Sequence, residues 1–314
     1  MGAGRKSLPL LLRCPVVGAT TLTTVFPNRI LPYLLLAPSI LLVLVFFIYP
    51  SAQSVELSLY LVNRVRDVRV YVGLENFQRL FESAAYLDSL KLTAIFTVIV
   101  VVSSLTISLA LAVGASQPIK GFGVYRTMLI WTYALSPSVA GVIWALLTDP
   151  AIGIFTDILE RFGVVFNWRR GQTDALIFIS MAATWKILGY NILFFLAGLK
   201  NIPHEVLEAA ALDGAGAWRR FWRMVLPLLT PTILFLLIMN TLYAFFETFG
   251  LIDITTQGGP GRATEILIYR LYLDGFRSAS RIGLASAQSI FMLVIVATLT
   301  LIQYRFVSRR TFYQ

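Results

Sequence analysis

Six long apolar stretches constrain the fold of this chain more than any other feature of its sequence. A helix needs roughly 20 mostly apolar residues to cross about 30 Å of hydrocarbon. Stretches of this kind occupy about 31–50, 90–114, 124–147, 175–198, 228–250 and 284–306. The third contains Pro137, which a membrane helix tolerates where neighbouring helices satisfy the freed carbonyl. The sequence therefore predicts an all-α polytopic membrane protein with about six transmembrane helices.

The balance of residue types agrees with a membrane setting and excludes several kinds of site. Of 314 residues, 57% are apolar and only 13% are charged. Soluble domains carry a much larger charged share, roughly a quarter of their residues. The net charge of +10 lies in short groups between the apolar runs, so we expect no nucleic-acid partner. A single cysteine, Cys14, and a single histidine, His204, exclude an intrachain disulfide and a Cys/His metal cluster.

The orientation follows from where the basic residues concentrate. They divide almost equally between the two sides, but the external loops are long and count less in the positive-inside rule. Short segments on the other side hold the dense groups, at Lys120, Arg219, Arg220, Arg223, Arg305, Arg309 and Arg310. We therefore expect both chain termini in the cytoplasm.

The first residues predict a segment without a span. Arg13 and Pro15 interrupt the apolar core that a cleavable signal peptide needs. Residues 1–29 are accordingly predicted to form a cytoplasmic extension, and residues 30–314 the membrane domain.

The polar segment 199–227 has the signals of a helix–turn–helix on the cytoplasmic face. Pro203 suits the first helical position and Glu205 the positive helix end, and alanines follow. Gly214 favours a left-handed turn, a second short helix fits 217–226, and Pro227 predicts a break before the fifth span. A solvated interfacial helix that merely links two spans is the simpler alternative.

The spacing in this segment resembles the EAA motif of permeases of ATP-binding-cassette (ABC) importers. Glu208-Ala209-Ala210 is followed after three residues by Gly214, and after nine more by Met224-Val225-Leu226-Pro227, with Met224 where the family usually has Ile. The resemblance implies that 199–227 is the coupling loop, which docks in a cleft of a nucleotide-binding subunit. It assigns this role to Glu208, Ala209, Ala210, Gly214, Leu226 and Pro227.

Two further segments are similar to the carbohydrate-uptake type of these permeases. Thr255–Pro260 resembles its Thr-x-Gly-Gly-Pro turn, and Gly73–Phe77 its GLxNF element. Gly258, Gly259, Pro260 and Arg262 are therefore candidate contacts with a binding protein. Solvated loop charge is the alternative for Arg262.

Five further segments resemble most closely the permeases of sn-glycerol-3-phosphate importers: Tyr86–Ser89, Tyr190–Phe195, Glu205–Gly216, Tyr243–Phe249 and Ala287–Ser289. The likeness extends from about residue 32 to residue 314 and implies a place in the bacterial inner membrane. It implies a type I importer architecture and transport of sn-glycerol-3-phosphate or glycerophosphodiesters by alternating access. It also implies a second permease subunit as heterodimer, two ATP-binding subunits, and a periplasmic binding protein that delivers the substrate.

No catalytic constellation is present in the sequence. It has no G-x-x-x-x-G-K-[ST] run to cradle ATP phosphates, no G-x-S-x-G elbow and no H-E-x-x-H pair. We therefore expect a non-catalytic subunit without a cofactor of its own, the ATP and Mg²⁺ being bound by a partner ATPase.

Polar residues inside the predicted spans are the candidates for a translocation pathway. Lys186 stands out, because a charge near the middle of a span costs at least ~2.5 kcal/mol on insertion scales and is usually functional. The set is completed by Tyr190, Asn191, Asn240, Tyr243 and Glu247. A structural partner for Lys186, and hydrogen bonding between helices for the asparagines, are the alternatives.

Three other functions remain to be weighed. An importer of the same family for a neutral sugar or oligosaccharide would share every motif above. An ion-coupled secondary transporter would need midplane acids, and Glu247 is the only acid within a predicted span. A membrane-embedded enzyme lacks any catalytic cluster.

Overall fold

The computed structural model describes residues 30–63, 68–116, 122–278 and 281–308. The predicted extension 1–29 lies outside these residues. Two compact units are present, one ending at Ala52 and the other beginning at Gln53. The first contains α1 (Leu31–Val43), a π-helical turn (Leu44–Ile48) and the start of α2 (Tyr49–Ser58).

The second unit is almost entirely helical. After a hairpin of β1 (Tyr60–Asn63) and β2 (Val68–Tyr71) come α3 (Glu75–Glu82), α4 (Ala84–Ala115), α5 (Phe122–Ala134), α6 (Pro137–Leu147), α7 (Ile154–Arg161) and α8 (Gln172–Lys200). The chain continues through α9 (His204–Leu212), α10 (Ala217–Arg220), α11 (Leu226–Leu228), α12 (Thr230–Leu242), α13 (Phe249–Ile254), α14 (Leu267–Tyr272) and α15 (Ile282–Ser308). Further π-helical turns occupy Phe221–Val225, Tyr243–Glu247 and Leu273–Arg277.

By length and apolar composition, five helices in the described ranges can each cross a membrane. They are Tyr33–Ser58, Ala84–Ala115, Gln172–Lys200, Thr230–Glu247 and Ile282–Arg305. A sixth crossing is available if the bent pair Thr127–Ala134 and Pro137–Leu147 acts as one span. The predicted fold class, an all-α polytopic membrane protein of about six spans, is confirmed.

The third predicted span, 124–147, is wrong as a continuous helix. The chain bends by 110° between α5 and α6. Proline disfavours helical conformation in the residue before it, and Ser136 is extended there with ψ 154°. The Ser136 hydroxyl accepts a hydrogen bond from the Val139 amide at 3.3 Å. Because this bond caps a helix start, Pro137 opens a new helix instead of interrupting an old one.

A β-hairpin is the one departure from the all-α prediction in the described part of the chain. The buried side-chain amide of Asn76 holds its start, donating to the carbonyls of Ser58 at 2.7 Å and Tyr60 at 3.1 Å. Gly283 at the start of α15 lies against the same backbone, and a Cβ there would overlap the Tyr60 carbonyl oxygen. Asn76 belongs to the GLxNF element, which thus joins the hairpin to the last span.

The main core surrounds α8, the most buried of the candidate spans. Phe178, Ile179, Ala182 and Ala183 of α8 are each at most 1% exposed. The Trp168 ring stacks on Phe178 with centroids 4.5 Å apart. Small side chains on this helix let neighbouring backbones approach closely, as membrane helix packing favours.

Candidate functional site

The turn of the 199–227 loop is built by its own backbone. The helix α9 begins after Pro203 and ends at Leu212, and Gly214 follows with φ +79°. The Ala215 amide donates to the Ala210 carbonyl at 3.0 Å and the Gly214 amide to Ala211 at 3.1 Å. These two bonds form a Schellman motif, which needs a left-handed residue at the glycine position. The left-handed turn predicted at Gly214 is confirmed.

The second helix of the loop, predicted over 217–226, is longer than predicted. It comprises α10, the π-helical turn Phe221–Val225 and α11, and the break comes at Leu229, not at Pro227. A π-helical turn bonds each amide to the carbonyl five residues back, as the Leu226 amide does to Phe221. This wider turn lies directly before Pro227 and accommodates the missing proline N–H. The helix therefore continues past Pro227 and ends at Leu228.

The loop presents a mixed surface of charged and large apolar side chains. Glu208 and Ala209 are exposed, whereas Ala210 packs inside. Leu212 is 89% exposed and Trp218 is 76% exposed. Largely exposed leucine and tryptophan side chains beside a helix–turn–helix are typical of a surface that another protein covers. Docking of an ATPase on this surface stays a prediction.

Lys186 is held between aromatic rings in the interior of the helical unit. Its side chain is 6% exposed, and its Nζ lies 5.6 Å from the Tyr133 ring centre and 5.3 Å from that of Tyr243. In the described ranges Lys186 forms neither a hydrogen bond nor an ion pair within 4 Å. The exposed carboxylate of Glu247 is near enough to interact electrostatically. Lys186 is therefore a buried cation whose hydrogen-bonding capacity is unused.

Three features of the backbone position the rings around Lys186. The break after α5 places Tyr133 at the end of that helix, and the Tyr190 ring lies 5.3 Å from it. The Tyr243 hydroxyl donates to the Ala183 carbonyl at 3.2 Å from a π-helical turn, a feature frequent at functional sites. Gly189 lets α5 approach, since a Cβ there would lie 2.8 Å from the Ile130 carbonyl oxygen.

Asn191 and Asn240 form a reciprocal pair between α8 and α12. Each amide donates to the other's carbonyl oxygen, at 3.0 and 2.8 Å, and Ser104 of α4 lies 2.9 Å from Asn240 Oδ1. Both asparagines are 0% exposed. The pairing favours the interhelical alternative for these two residues over lining of a pathway.

We expect Asn191→Leu to destabilise the helical unit by about 1–3 kcal/mol, because it leaves one N–H of the buried Asn240 amide without an acceptor, although the bonds of Asn240 to Ser104 and Leu236 remain. Thermal unfolding of the purified complex measures this effect. The double change Asn191→Leu with Asn240→Leu removes both amides, so it should cost less than the sum of the two single changes. Additive losses would contradict the pairing.

The turn after the fifth span folds on itself. Gly258 has φ +82° and is buried, with the place of its missing Cβ 2.9 Å from the Tyr269 ring. The Thr264 hydroxyl donates to the Gly259 carbonyl at 2.9 Å. A cavity of about 420 Å³ is lined by Gly259 and Pro260 together with Trp168 and Arg169. This placement favours a structural role for Gly258 and leaves Gly259 and Pro260 accessible.

Arg262, the fourth candidate contact, belongs to a network of charges that the sequence analysis did not identify. It donates to Glu265 at 3.2 Å and to the Ala85 carbonyl at 2.8 Å. Arg270 bridges Glu265 at 2.7 Å and Asp274 at 3.0 Å. Asp274, 2% exposed, also accepts from Gln288 at 2.7 Å and from Arg281 at 3.1 Å.

The network fixes the segment after the fifth span against the first turns of α15. Burial lowers the pKa of Arg270, but hydrogen bonds and charge from Glu265 and Asp274 outweigh this and raise it. The four-residue spacing of Arg270 and Asp274 was the available signal. Within the described ranges, no three His, Cys, Asp or Glu side chains come together as a metal site.

Comparisons with known proteins agree with this geometry. Residues 142–313 match the family model described as "Binding-protein-dependent transport system inner membrane component". The chain is 45% identical to the sn-glycerol-3-phosphate transport system permease protein UgpA of Agrobacterium fabrum, over 93% of this chain and 99% of that protein. The Rhizobium meliloti UgpA is 46% identical over 92% of this chain and 98% of its own length.

A solved structure shares the fold. It is a bacterial alginate ABC transporter in complex with an alginate pentasaccharide-bound periplasmic protein. The TM-score is 0.77 at 20% sequence identity, covering 90% of this chain and 95% of the other. The architecture predicted from the motifs, that of an ABC-importer permease, is confirmed. The chain belongs to the family of inner membrane components of binding-protein-dependent transport systems, and is a permease subunit of an ABC importer.

Proposed function

We propose that this permease imports sn-glycerol-3-phosphate, or glycerophosphodiesters of the same chemistry, delivered by a periplasmic binding protein. The observation that carries this proposal is the identity of 45% and 46% to two UgpA permeases across more than nine-tenths of the chain. The buried cation Lys186 supports it, because a phosphate monoester needs a positive charge to cross an apolar interior.

Lys186 would meet the phosphate as a point charge, with Tyr133 and Tyr243 supplying the walls. A lysine ammonium has three donors and no acceptor, and no carboxylate in the described ranges neutralises it at contact distance. Glu247 lies close enough to Lys186 to interact with it electrostatically, and its carboxylate would repel the phosphate. This repulsion would let the anion pass Lys186 without binding there tightly. Such a path binds weakly enough to release its cargo.

The energy for transport would come from a separate pair of ATP-binding subunits, which hold the ATP and Mg²⁺. The exposed surface around Glu208, Leu212 and Trp218 is where one of them would dock. Closure of the ATPases would move the loop as a rigid lever and exchange outward-open for inward-open states. This requires both chain termini in the cytoplasm and a second permease subunit to complete the path.

Uptake by reconstituted vesicles tests the substrate assignment. With the complete complex and the binding protein, we expect uptake of sn-glycerol-3-phosphate and none of maltose. Lys186→Met should lower that uptake by about tenfold, since about 1.4 kcal/mol of lost charge interaction is a factor of ten. Lys186→Arg, which keeps the charge, should retain most of it. Uptake of maltose would refute the substrate assignment. Normal uptake of the phosphate ester by Lys186→Met would refute the role of Lys186.

A further inference from the structure

A cavity separate from the Lys186 cluster is walled by three arginines. Its volume is about 280 Å³, and Arg79, Arg270 and Arg281 line it together with Asn76 and Ser83. These residues come from α3, the cap of α4, α14 and the position directly before α15. None of them lies near the coupling loop in sequence, and none belongs to the candidate pathway.

The acids of the neighbouring network orient two of these arginines without neutralising the cavity. Asp274 and Glu265 hold Arg270 from two sides, and Asp274 also holds one terminal nitrogen of Arg281. Arg281 therefore keeps the rest of its N–H groups without a partner in the described part of the chain. Carboxylates that orient a ligand-binding side chain through hydrogen bonds are typical of preorganised binding sites.

The balance of charge around the cavity is positive. Arg79 has a single acidic partner, and both of its bonds go to one oxygen of Glu75, at 3.2 and 2.6 Å. In the part of the chain that the structure describes, the lining itself contains three arginines and no carboxylate, because the acids that pair with them, Glu75, Glu265 and Asp274, are not among the lining residues. Guanidinium groups present paired donors in one plane. Two oxygens of a phosphate can accept from such a pair, whereas a halide ion offers no matching pair of acceptors.

We propose that this cavity is a binding site for a phosphate-type oxyanion, either free phosphate or the phosphate group of an ester. Arg79 and Arg281 supply the unspent donors, and Arg270 supplies charge from a fixed position. Asn76 is occupied by the carbonyls of Ser58 and Tyr60, so it frames the cavity and does not bind. The site does not depend on the proposed substrate, because a phosphate could bind here whether or not it is transported.

Equilibrium binding to the complete complex in nanodiscs, without binding protein, tests the proposal. Every sample carries Lys186→Met, so that the candidate pathway site does not contribute. Labelled inorganic phosphate and labelled sn-glycerol-3-phosphate are the two probes, at constant ionic strength in chloride. We expect saturable binding of at least one probe, and the tighter of the two identifies the source of the phosphate group.

Arg79→Gln is the deciding variant, and Arg161→Gln is its matched control. Both residues form exposed ion pairs with an acid four positions earlier, Glu75 and Asp157, so either change should leave the fold intact. We expect Arg79→Gln to weaken binding about tenfold, as loss of a charge-assisted bond does, and Arg161→Gln to leave it unchanged.

Three results would overturn the proposal. One is equal binding by the two variants, and another is displacement of the probe by chloride at matched ionic strength. The third is no saturable binding of either probe. If Arg79→Gln then also weakens binding of the binding protein, the cavity is assigned to an acidic side chain of that partner. Uptake of sn-glycerol-3-phosphate is measured separately, so failure here leaves the proposed function untouched.

Discussion

Replacing Gly214 by valine is expected to lower ATP-dependent uptake at least fivefold while the amount of assembled complex in the membrane stays the same. Gly214 has φ +79° and closes the turn of the 199–227 loop, which we predict to be the coupling loop. A left-handed conformation costs a residue with a Cβ roughly 1–2 kcal/mol, which is a factor of about 5 to 30 in the population of the turn. A β-branched side chain is among the least tolerant.

Gly216 provides a matched control two residues away. It lies in the same loop with φ −61°, and a Cβ at either glycine would meet no atom within 4 Å. Gly216→Val therefore adds the same bulk without the strain, and uptake should remain near that of the unmodified protein. Gly214→Asn, which tolerates the left-handed region, should recover part of the loss. Equal effects of the two valine variants would show that conformation at residue 214 is not what couples the loop.

Gly283→Ala is expected to lower the free energy of unfolding of the purified complex by about 3 kcal/mol, the upper range for overpacking a tight contact. The added Cβ would overlap the Tyr60 carbonyl oxygen and lie 3.1 Å from that of Leu57. Carbon and oxygen normally approach to about 3.3 Å, so α15 must move away from the hairpin. That movement would also disturb the bonds of Asn76, whose Nδ2 is 3.0 Å from the same position.

Gly114→Ala is the control for this change. Gly114 lies near the end of α4 with open space around it, so alanine there should be neutral or stabilise the helix by up to about 1 kcal/mol. Thermal unfolding of both variants in detergent measures the difference. An unchanged midpoint for Gly283→Ala would mean that α15 does not rest on the hairpin.

Much of the fold follows from patterns with a short physical range. The length of the apolar runs was enough to locate the six stretches. The thickness of the hydrocarbon sets a minimum length for a membrane-spanning helix, and apolar runs in loops are shorter than this. The bend at Pro137 was not predicted, since whether a proline breaks a membrane helix depends on the capping of its neighbours. The Ser136 hydroxyl supplies that cap. The hairpin of 60–63 and 68–71 was missed because its start is held by Asn76, a residue outside both strands.

The candidate site divides in the same way. The turn at Gly214 was predictable because all its hydrogen bonds are local. Lys186 was identified from its charge, but the rings that surround it come from α5 and from the segment after α12, which the sequence does not connect. Asn191 and Asn240 are far apart in the sequence, and the network around Asp274 lies in a segment for which the sequence predicted no structure. Only the packed structure brings them together.

ATP hydrolysis by the reconstituted complex tests the central claim most directly. This permease, the proposed second permease and the two proposed ATP-binding subunits are supplied with binding protein loaded with sn-glycerol-3-phosphate or with maltose, and phosphate release is measured. We predict stimulation by the first ligand alone, and no hydrolysis by the permeases without their ATP-binding subunits. Stimulation by the maltose-loaded protein, with none by the phosphate ester, would contradict the proposed function.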